Sequence, residues 1–428
     1  MIYTKRNIYD VPKTASCGVF VKLTGVDYYG NSVELFLPDL STVFVGAPGV
    51  GKTTQIIHCI DTSTKNPDAV TVILDIKGEY LEKCFKPGDV VLSMYDLSHI
   101  PKENQVCWSL MKEALLDSNP ESVLFEITQM IFKKARETSQ NPVFATAAML
   151  VFYGQLVHIF RSCNGKIPFN SELITKIESV SDAEIFDSVS RYADLFAVRD
   201  LVSKKTNLTS FGIKMELRTI LMETFILGSN FCSSDSRFSI REFIHEGRGR
   251  KLFIEFDFAN RESSGTIIRL LLDLALKEAL SGSCLEKGDK TRYNFFLDEY
   301  GYLSSGLSYL DAIKEVGRSK GCRIYAGFQS INQLHKLYNG RADMAVDDFS
   351  SFSNIIAFRT HDKESMTAIT DRCGCEYNEV TTIDALCNVY TETKLVSVIS
   401  DETLAGLKQG EAIVILDIGR PFWIKFDK

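Results

Sequence analysis

Two kinds of apolar pattern alternate along the chain. Near-continuous apolar runs occupy 69–75 and 90–94, as expected of strands covered on both faces. Before them, 18–23 and 32–37 flank the turn-rich Tyr29-Gly30-Asn31, which is a hairpin signal. From about 120 to 228 the period becomes helical. Val123, Ile127, Met130 and Ile131 recur behind Pro120, a favourable first helical residue. Ser181-Asp182-Ala183-Glu184 matches a capping box, and the apolar run 217–227 ends at Gly228, an expected C-cap. Strand patterns then resume at 251–258, 293–300, 322–329, 354–360, 411–417 and 422–426, with a helix over 265–280 between the first two. This alternation predicts an α/β fold with a mainly parallel sheet and helices on both faces. The expected division is 1–140, an all-helical insertion over 141–230, and a return to the α/β domain over 231–428.

With 428 residues, 45% hydrophobic and 24% charged, the chain is large enough for two or three domains. Its net charge of −7 excludes a uniformly basic nucleic-acid binder but leaves room for a local basic stripe. The 11 cysteines include no C-x-x-C pair, and no histidine stands at ligand spacing from Cys373 and Cys375. Reduced, mostly buried thiols are therefore expected, without a structural metal. No apolar stretch follows Met1-Ile2-Tyr3-Thr4-Lys5-Arg6, so no signal peptide is expected. The apolar run 143–160 is interrupted by Thr146, Gly154, Gln155 and His158. It is expected to be a buried helix rather than a membrane span, in a protein soluble as written.

One short segment narrows the chemistry. The apolar run 41–45 enters Gly46-Ala47-Pro48-Gly49-Val50-Gly51-Lys52-Thr53-Thr54, a complete G-x-x-x-x-G-K-[ST] phosphate loop. Its glycines allow a turn so tight that successive N–H groups face phosphate oxygens. Lys52 supplies a point charge for the β- and γ-phosphates, the Thr53 hydroxyl suits Mg²⁺, and the helix expected after the loop turns its positive end to the same anion. Gly46 to Thr54 are thus the expected ATP contacts in a RecA-like P-loop ATPase domain.

Phe295-Phe296-Leu297-Asp298-Glu299 is an apolar run ending in adjacent carboxylates. Beside a phosphate loop, Asp298 would hold the Mg²⁺ shell and Glu299 would orient and deprotonate the attacking water. Several strands separate the two motifs, which suits an ATPase with an additional strand and a catalytic glutamate. Gln329 ends the run 323–328, where its amide would sense the γ-phosphate; a capped strand end is the alternative. Arg318 precedes that run and would reach a neighbouring subunit's nucleotide as an arginine finger, or else is a solvated charge.

Four ordered motifs resemble the type IV secretion coupling proteins, the TraG/TraD-like conjugation ATPases of the FtsK/HerA superfamily. Asp75-Ile76-Lys77-Gly78-Glu79-Tyr80 is similar to their Asp-x-Lys-Gly-Glu motif, and Leu297-Asp298-Glu299-Tyr300-Gly301-Tyr302-Leu303 to their Leu-Asp-Glu-Phe-x-x-Leu. Gly317-Arg318-Ser319-Lys320-Gly321-Cys322-Arg323 and Phe328-Gln329-Ser330-Ile331-Asn332-Gln333-Leu334 resemble the family's next two motifs in order. Asn141-Pro142-Val143-Phe144 falls where family members open a helical insertion, and the segments 358–362 and 410–414 resemble later family elements. The likeness runs from about residue 40 to the C-terminus.

The resemblance implies a hexameric ring that hydrolyses ATP and moves DNA, or a relaxase–DNA complex, towards a type IV secretion channel. DNA contacts would be largely independent of sequence, and the helical insertion would meet the cargo. Family members usually begin with two membrane helices, and none is expected here. It would then dock on a separate membrane anchor at the inner face of the membrane, or act as a cytoplasmic relative. A soluble HerA- or packaging-type DNA pump and a nucleotide-dependent adaptor are the alternatives. The clusters Arg248, Arg250 and Lys251, Lys204 and Lys205, and Lys133, Lys134 and Arg136 are expected mainly on solvated faces. The segments 248–251 and 301–317 are the candidate channel loops.

Overall fold

A computed structural model describes residues 21–93, 97–139, 142–163, 165–202, 207–226, 237–255, 261–282, 290–303, 306–338, 340–383, 389–417 and 419–427. The expected strand ends at Met94 and Phe258, the helix stop at Gly228, residues 18–20, Asn141, Lys204 and Lys205 lie outside these. Contacts divide the chain into two compact units. One takes the described residues of 1–71, 283–302 and 310–428, the other those of 72–282 and 303–309.

In chain order the strands are β1 (Val21–Asp27), β2 (Ser32–Leu37), β3 (Thr42–Val45), β4 (Ala69–Asp75), β5 (Val90–Leu92), β6 (Cys107–Trp108), β7 (Arg237–Phe238) and β8 (Lys251–Glu255). After them come β9 (Arg292–Asp298), β10 (Cys322–Phe328), β11 (Asn354–Phe358), β12 (Cys375–Ile383), β13 (Val389–Ser397), β14 (Glu411–Ile415) and β15 (Phe422–Phe426).

The first unit contains the strand order β2-β1-β15-β14-β11-β3-β10-β9. Its centre, β11-β3-β10-β9, is parallel. β3, β10 and β11 are buried along their whole length, which explains their unbroken apolar runs. The rest of this unit's sheet is antiparallel, from β11–β14 through β14–β15 and β15–β1 to the β1–β2 hairpin. The sequence pattern did not distinguish this flank from the parallel centre. The link from Ile415 to Phe422 is too short for a crossover, which needs a dozen residues or more, so β15 must turn back on β14. At the hairpin, Asp27 Oδ1 accepts from the N–H groups of Tyr29 at 2.9 Å and Asn31 at 2.8 Å. Helix Lys52–Ser63 packs on β1, β9 and β10 through buried Ile56, Cys59 and Ile60. β12 and β13 form a separate antiparallel ribbon.

The second unit pairs β5 with β8 in parallel and is otherwise rich in helices. Asn119 caps helix Pro120–Thr138, whose Val123, Ile127, Met130 and Ile131 are buried as their spacing predicts. Ser181 and Glu184 close the reciprocal capping box of helix Asp182–Val189. Helix Pro142–Ser162 is long and apolar enough to cross a membrane by composition, yet 61% of its most apolar window is buried within the protein. Its polar residues have partners there. Gln155 donates to Ser188 Oγ at 2.9 Å, and Arg161 bridges Glu121 and Asp194 at 2.7 and 2.6 Å. Helix Leu208–Leu221 runs on as a π-turn over Met222–Ile226. Cys59, Cys163, Cys322, Cys373 and Cys375 are free thiols.

Phe132 and Phe152 join two of these helices, their fully buried rings 5.8 Å apart. Truncating Phe152→Ala should cost about 3–5 kcal/mol of unfolding free energy, because the helices cannot collapse around so large a void. Urea denaturation measures it.

Candidate active site

The phosphate loop is built where β3 runs out. Gly46 adopts φ 152, and a Cβ there would stand 2.8 Å from Phe358 Cβ, so no other residue fits. The Gly46 N–H donates to Phe328 O at 3.3 Å and the Ala47 N–H to Arg359 O at 2.8 Å, which ties the loop to the ends of β10 and β11. Pro48 and Gly49 are exposed at the tip, while Val50 is buried and its carbonyl accepts from the Gly410 N–H at 2.9 Å. Gly51, at φ 113, turns the chain into helix Lys52–Ser63 and offers no side chain to cap its first turn. That geometry suits an anion at the helix N-terminus. Thr53 and Thr54 lie half-buried in this turn. The buried Lys52 ammonium donates to Gly46 O at 2.6 Å and Ala47 O at 3.2 Å, folded back across its own loop.

Strand register brings the carboxylates to the same edge. Gly327 of β10 stands opposite Phe44 of β3 on one side and Asp298 of β9 on the other. One strand therefore separates the two motifs, or about 10 Å at the usual spacing between strands. Asp298 packs so closely against Gly327 that a Cβ on the glycine would overlap its Oδ1 and come within 3.1 Å of Ile56 Cδ1. Both Asp298 and Glu299 are buried.

Glu299 has φ 55, the one positive φ outside glycine among the described residues. Such strain costs on the order of 1–3 kcal/mol and persists only where the surroundings impose it. Here its N–H donates to Gly327 O at 2.7 Å and its carbonyl accepts from the Tyr302 N–H at 3.0 Å. Two amides grip the carboxylate: Gln329 Nε2 donates to Oε1 at 2.9 Å and Gln333 Nε2 to Oε2 at 3.1 Å. Gln333 also donates to the Tyr302 hydroxyl at 2.8 Å, and its Oε1 accepts from the Gln329 N–H at 2.8 Å.

Sequence reasoning picked out Gln329 but gave Gln333 no role. Its signal was the spacing of four, which puts a second amide on the same side once a helical turn succeeds β10. Arg318 is exposed in the last turn of helix Leu310–Lys320 and makes no described contact with Asp298 or Glu299. The basic turn at 248–251 differs from expectation. Lys251 is buried in an ion pair with Asp89 at 2.8 Å, and Arg250 donates to Gly88 O at 2.7 Å, so both are tied to the fold. Lys133 donates to Ser308 Oγ at 2.9 Å.

In the second unit, Asp75 is fully buried and accepts from the N–H groups of Lys77 at 3.2 Å and Leu81 at 2.7 Å. Burial, reinforced by the charge of Glu255, pushes its pKa up to about 6 against the opposing hydrogen bonds.

The profile of the type IV secretion-system coupling protein DNA-binding domain matches residues 34–392. Over 129 residues the chain is 30% identical to a probable conjugal transfer protein TraG of Sinorhizobium fredii, a match covering 30% of this chain and 19% of that protein. The chain thus spans about a fifth of the length of that relative. Among solved structures, the unbound conjugative coupling protein TrwBdeltaN70 superposes with a TM-score of 0.74 at 19% identity, covering 94% of this chain and 88% of that one. TrwB has also been solved with ADP and Mg²⁺, in a form that matches at TM-score 0.69 and 19% identity over 91% of this chain and 86% of its own. VirB4 of Thermoanaerobacter pseudethanolicus matches at TM-score 0.58 and 13% identity, over 96% and 98% of the two chains. At these identities the structural likeness is one of fold, that of a P-loop ATPase.

Gly327→Ala should destabilise the protein by about 1–3 kcal/mol through overpacking. Adding Asp298→Ala should recover part of that loss, a coupling that urea denaturation of the four proteins measures. Asp75 binds its proton more readily folded than unfolded, where its pKa is near 3.8. Its contribution is therefore full below about pH 4 and falls as pH rises through about 6, by about 3 kcal/mol. Stability curves from pH 4 to 7 should show this slope flattened in Asp75→Asn.

Proposed function

The chain belongs to the type IV secretion-system coupling proteins, and from that membership we propose that it hydrolyses ATP to drive DNA, or a relaxase–DNA complex, into a type IV secretion channel during conjugative transfer. The observation that carries this reading is the register of β3, β10 and β9, which sets a phosphate loop and a carboxylate pair on one sheet edge. The similar proteins, named for conjugal transfer and conjugative coupling, support it.

The triphosphate of ATP lies in the loop Gly46 to Thr54. Lys52 exchanges its two carbonyl partners for β- and γ-phosphate oxygens. The Thr53 hydroxyl and Asp298 are the residues that would hold Mg²⁺, which neutralises charge on the phosphates when bound. Glu299 accepts a proton from water as the water oxygen bonds to the γ-phosphorus and the bond to the β-phosphate oxygen breaks, releasing ADP and phosphate. Gln329 moves its amide from Glu299 to the γ-phosphate and so reports its presence. Arg318, exposed and off this site, serves the neighbouring subunit in a hexameric ring. The segment 141–230 is the helical insertion that meets cargo. DNA is held mainly through its backbone. The chain works on the cytoplasmic side of the membrane.

Turnover with and without DNA tests the reading. Lys52→Ala should abolish nucleotide binding and hydrolysis together. Glu299→Gln should still bind ATP while turnover drops about 100-fold or more. Wild-type rates in Glu299→Gln would end the assignment.

A further inference from the structure

Tyr300 comes directly after the strained Glu299, and its ring is buried. Its hydroxyl donates to Asp348 Oδ2 at 2.7 Å, and the Tyr338 hydroxyl donates to the same oxygen at 2.9 Å. Asp348 Oδ1 takes the ammonium of Lys314, and these two side chains are only 2% and 1% exposed. Lys314 also reaches Asp311 at 3.0 Å and lies over the Phe352 ring, 5.1 Å from its centroid. Two phenols and an ammonium thus meet one buried carboxylate, borne on helix Ala342–Ser350. Burial of the Tyr300 phenol, with Asp348 beside it, raises its pKa well above the usual value, so it remains a donor.

The arms of this cluster lead to different places. Tyr300 belongs to the 3₁₀ turn Tyr300–Tyr302, and that turn closes the backbone bond from Tyr302 N–H to Glu299 O at 3.0 Å. A left-handed glutamate relaxes to ordinary backbone geometry unless the next residues of the chain are pinned. Lys314 lies one turn before Arg318 on helix Leu310–Lys320, which packs against β10. The buried ion pair is the helix's charged anchor, and breaking it by removing one partner leaves the other uncompensated.

We propose that Asp348 is a positioning residue for both halves of the hydrolytic machinery, holding Glu299 through Tyr300 and the helix that presents Arg318 through Lys314. The inference rests on the ATPase reading above. One carboxylate would then index the base acting within a subunit against the guanidinium donated to the next. A shift at either arm is felt at the other.

Tyr300→Phe deletes one hydroxyl and keeps the buried ring. It should lower kcat roughly tenfold to a hundredfold with the KM for ATP within about twofold, since small misplacements at a reacting group are costly. Asp348→Asn should do the same to a greater extent, and Tyr300→Phe keeps the test open if that variant fails to fold. For the other arm, wild-type subunits are mixed with Lys52→Ala subunits, which bring the helix but no competent site. Adding Lys314→Met to the Lys52→Ala subunits should depress turnover by their wild-type neighbours. A readout free of activity is amide hydrogen exchange, which should quicken at 299–302 in Tyr300→Phe while the phosphate loop is unchanged. An unaltered kcat in Tyr300→Phe, a fall in kcat matched by the loss of folded protein, or uniformly faster exchange would overturn the inference. Absence of ATP turnover in the wild type would instead count against the ATPase reading, and the exchange result would still decide the role of Asp348.

Discussion

Between the strand that leads into the phosphate loop and the strand that ends in Asp298 runs a third, and at the crossing point it carries no side chain. Gly327 faces Phe44 on one flank and Asp298 on the other, with Ile56 of the loop's own helix against the same spot. Its carbonyl also takes the N–H of Glu299. The distance from phosphate cradle to acidic pair is thus set by strand spacing, while the closeness of Asp298 is set by the missing Cβ. Loop flexibility enters neither term. Rigid elements thus hold these groups in place, and charge stabilisation works best when dipoles are already set.

The parts of this arrangement legible in the sequence are those whose chemistry is contiguous. The loop Gly46 to Thr54 announces itself because one backbone turn needs those residues in that order. The buried strands and the capped helices likewise write their environment into a local period. The antiparallel flank was less legible, because β14 and β15 look apolar whether their neighbour runs up or down. Asp348 was missed for a related reason. A lone carboxylate has no period, and its meaning appears only once Tyr300 is seen beside it. Lys251 shows the converse: three basic residues close together suggested a charged surface, whereas one of them is neutralised underneath by Asp89.

The helical unit obeys the same division. Its apolar faces could be anticipated, but the way it satisfies polar residues could not. Gln155 and Arg161 interrupt an apolar helix, and each finds its partner on a distant segment. Polar groups that find partners inside a unit cost little there and would cost far more in lipid. The coupling-protein profile extends across this unit as well as the sheet.

Lys52 closes on the carbonyls of Gly46 and Ala47, which ties the first residue of the helix back to the loop before it. The ammonium at the start of the helix is thus solvated in part by the backbone of the loop that precedes it. An anion entering the loop would therefore meet no bare charge, since the ammonium must first be drawn from these carbonyls.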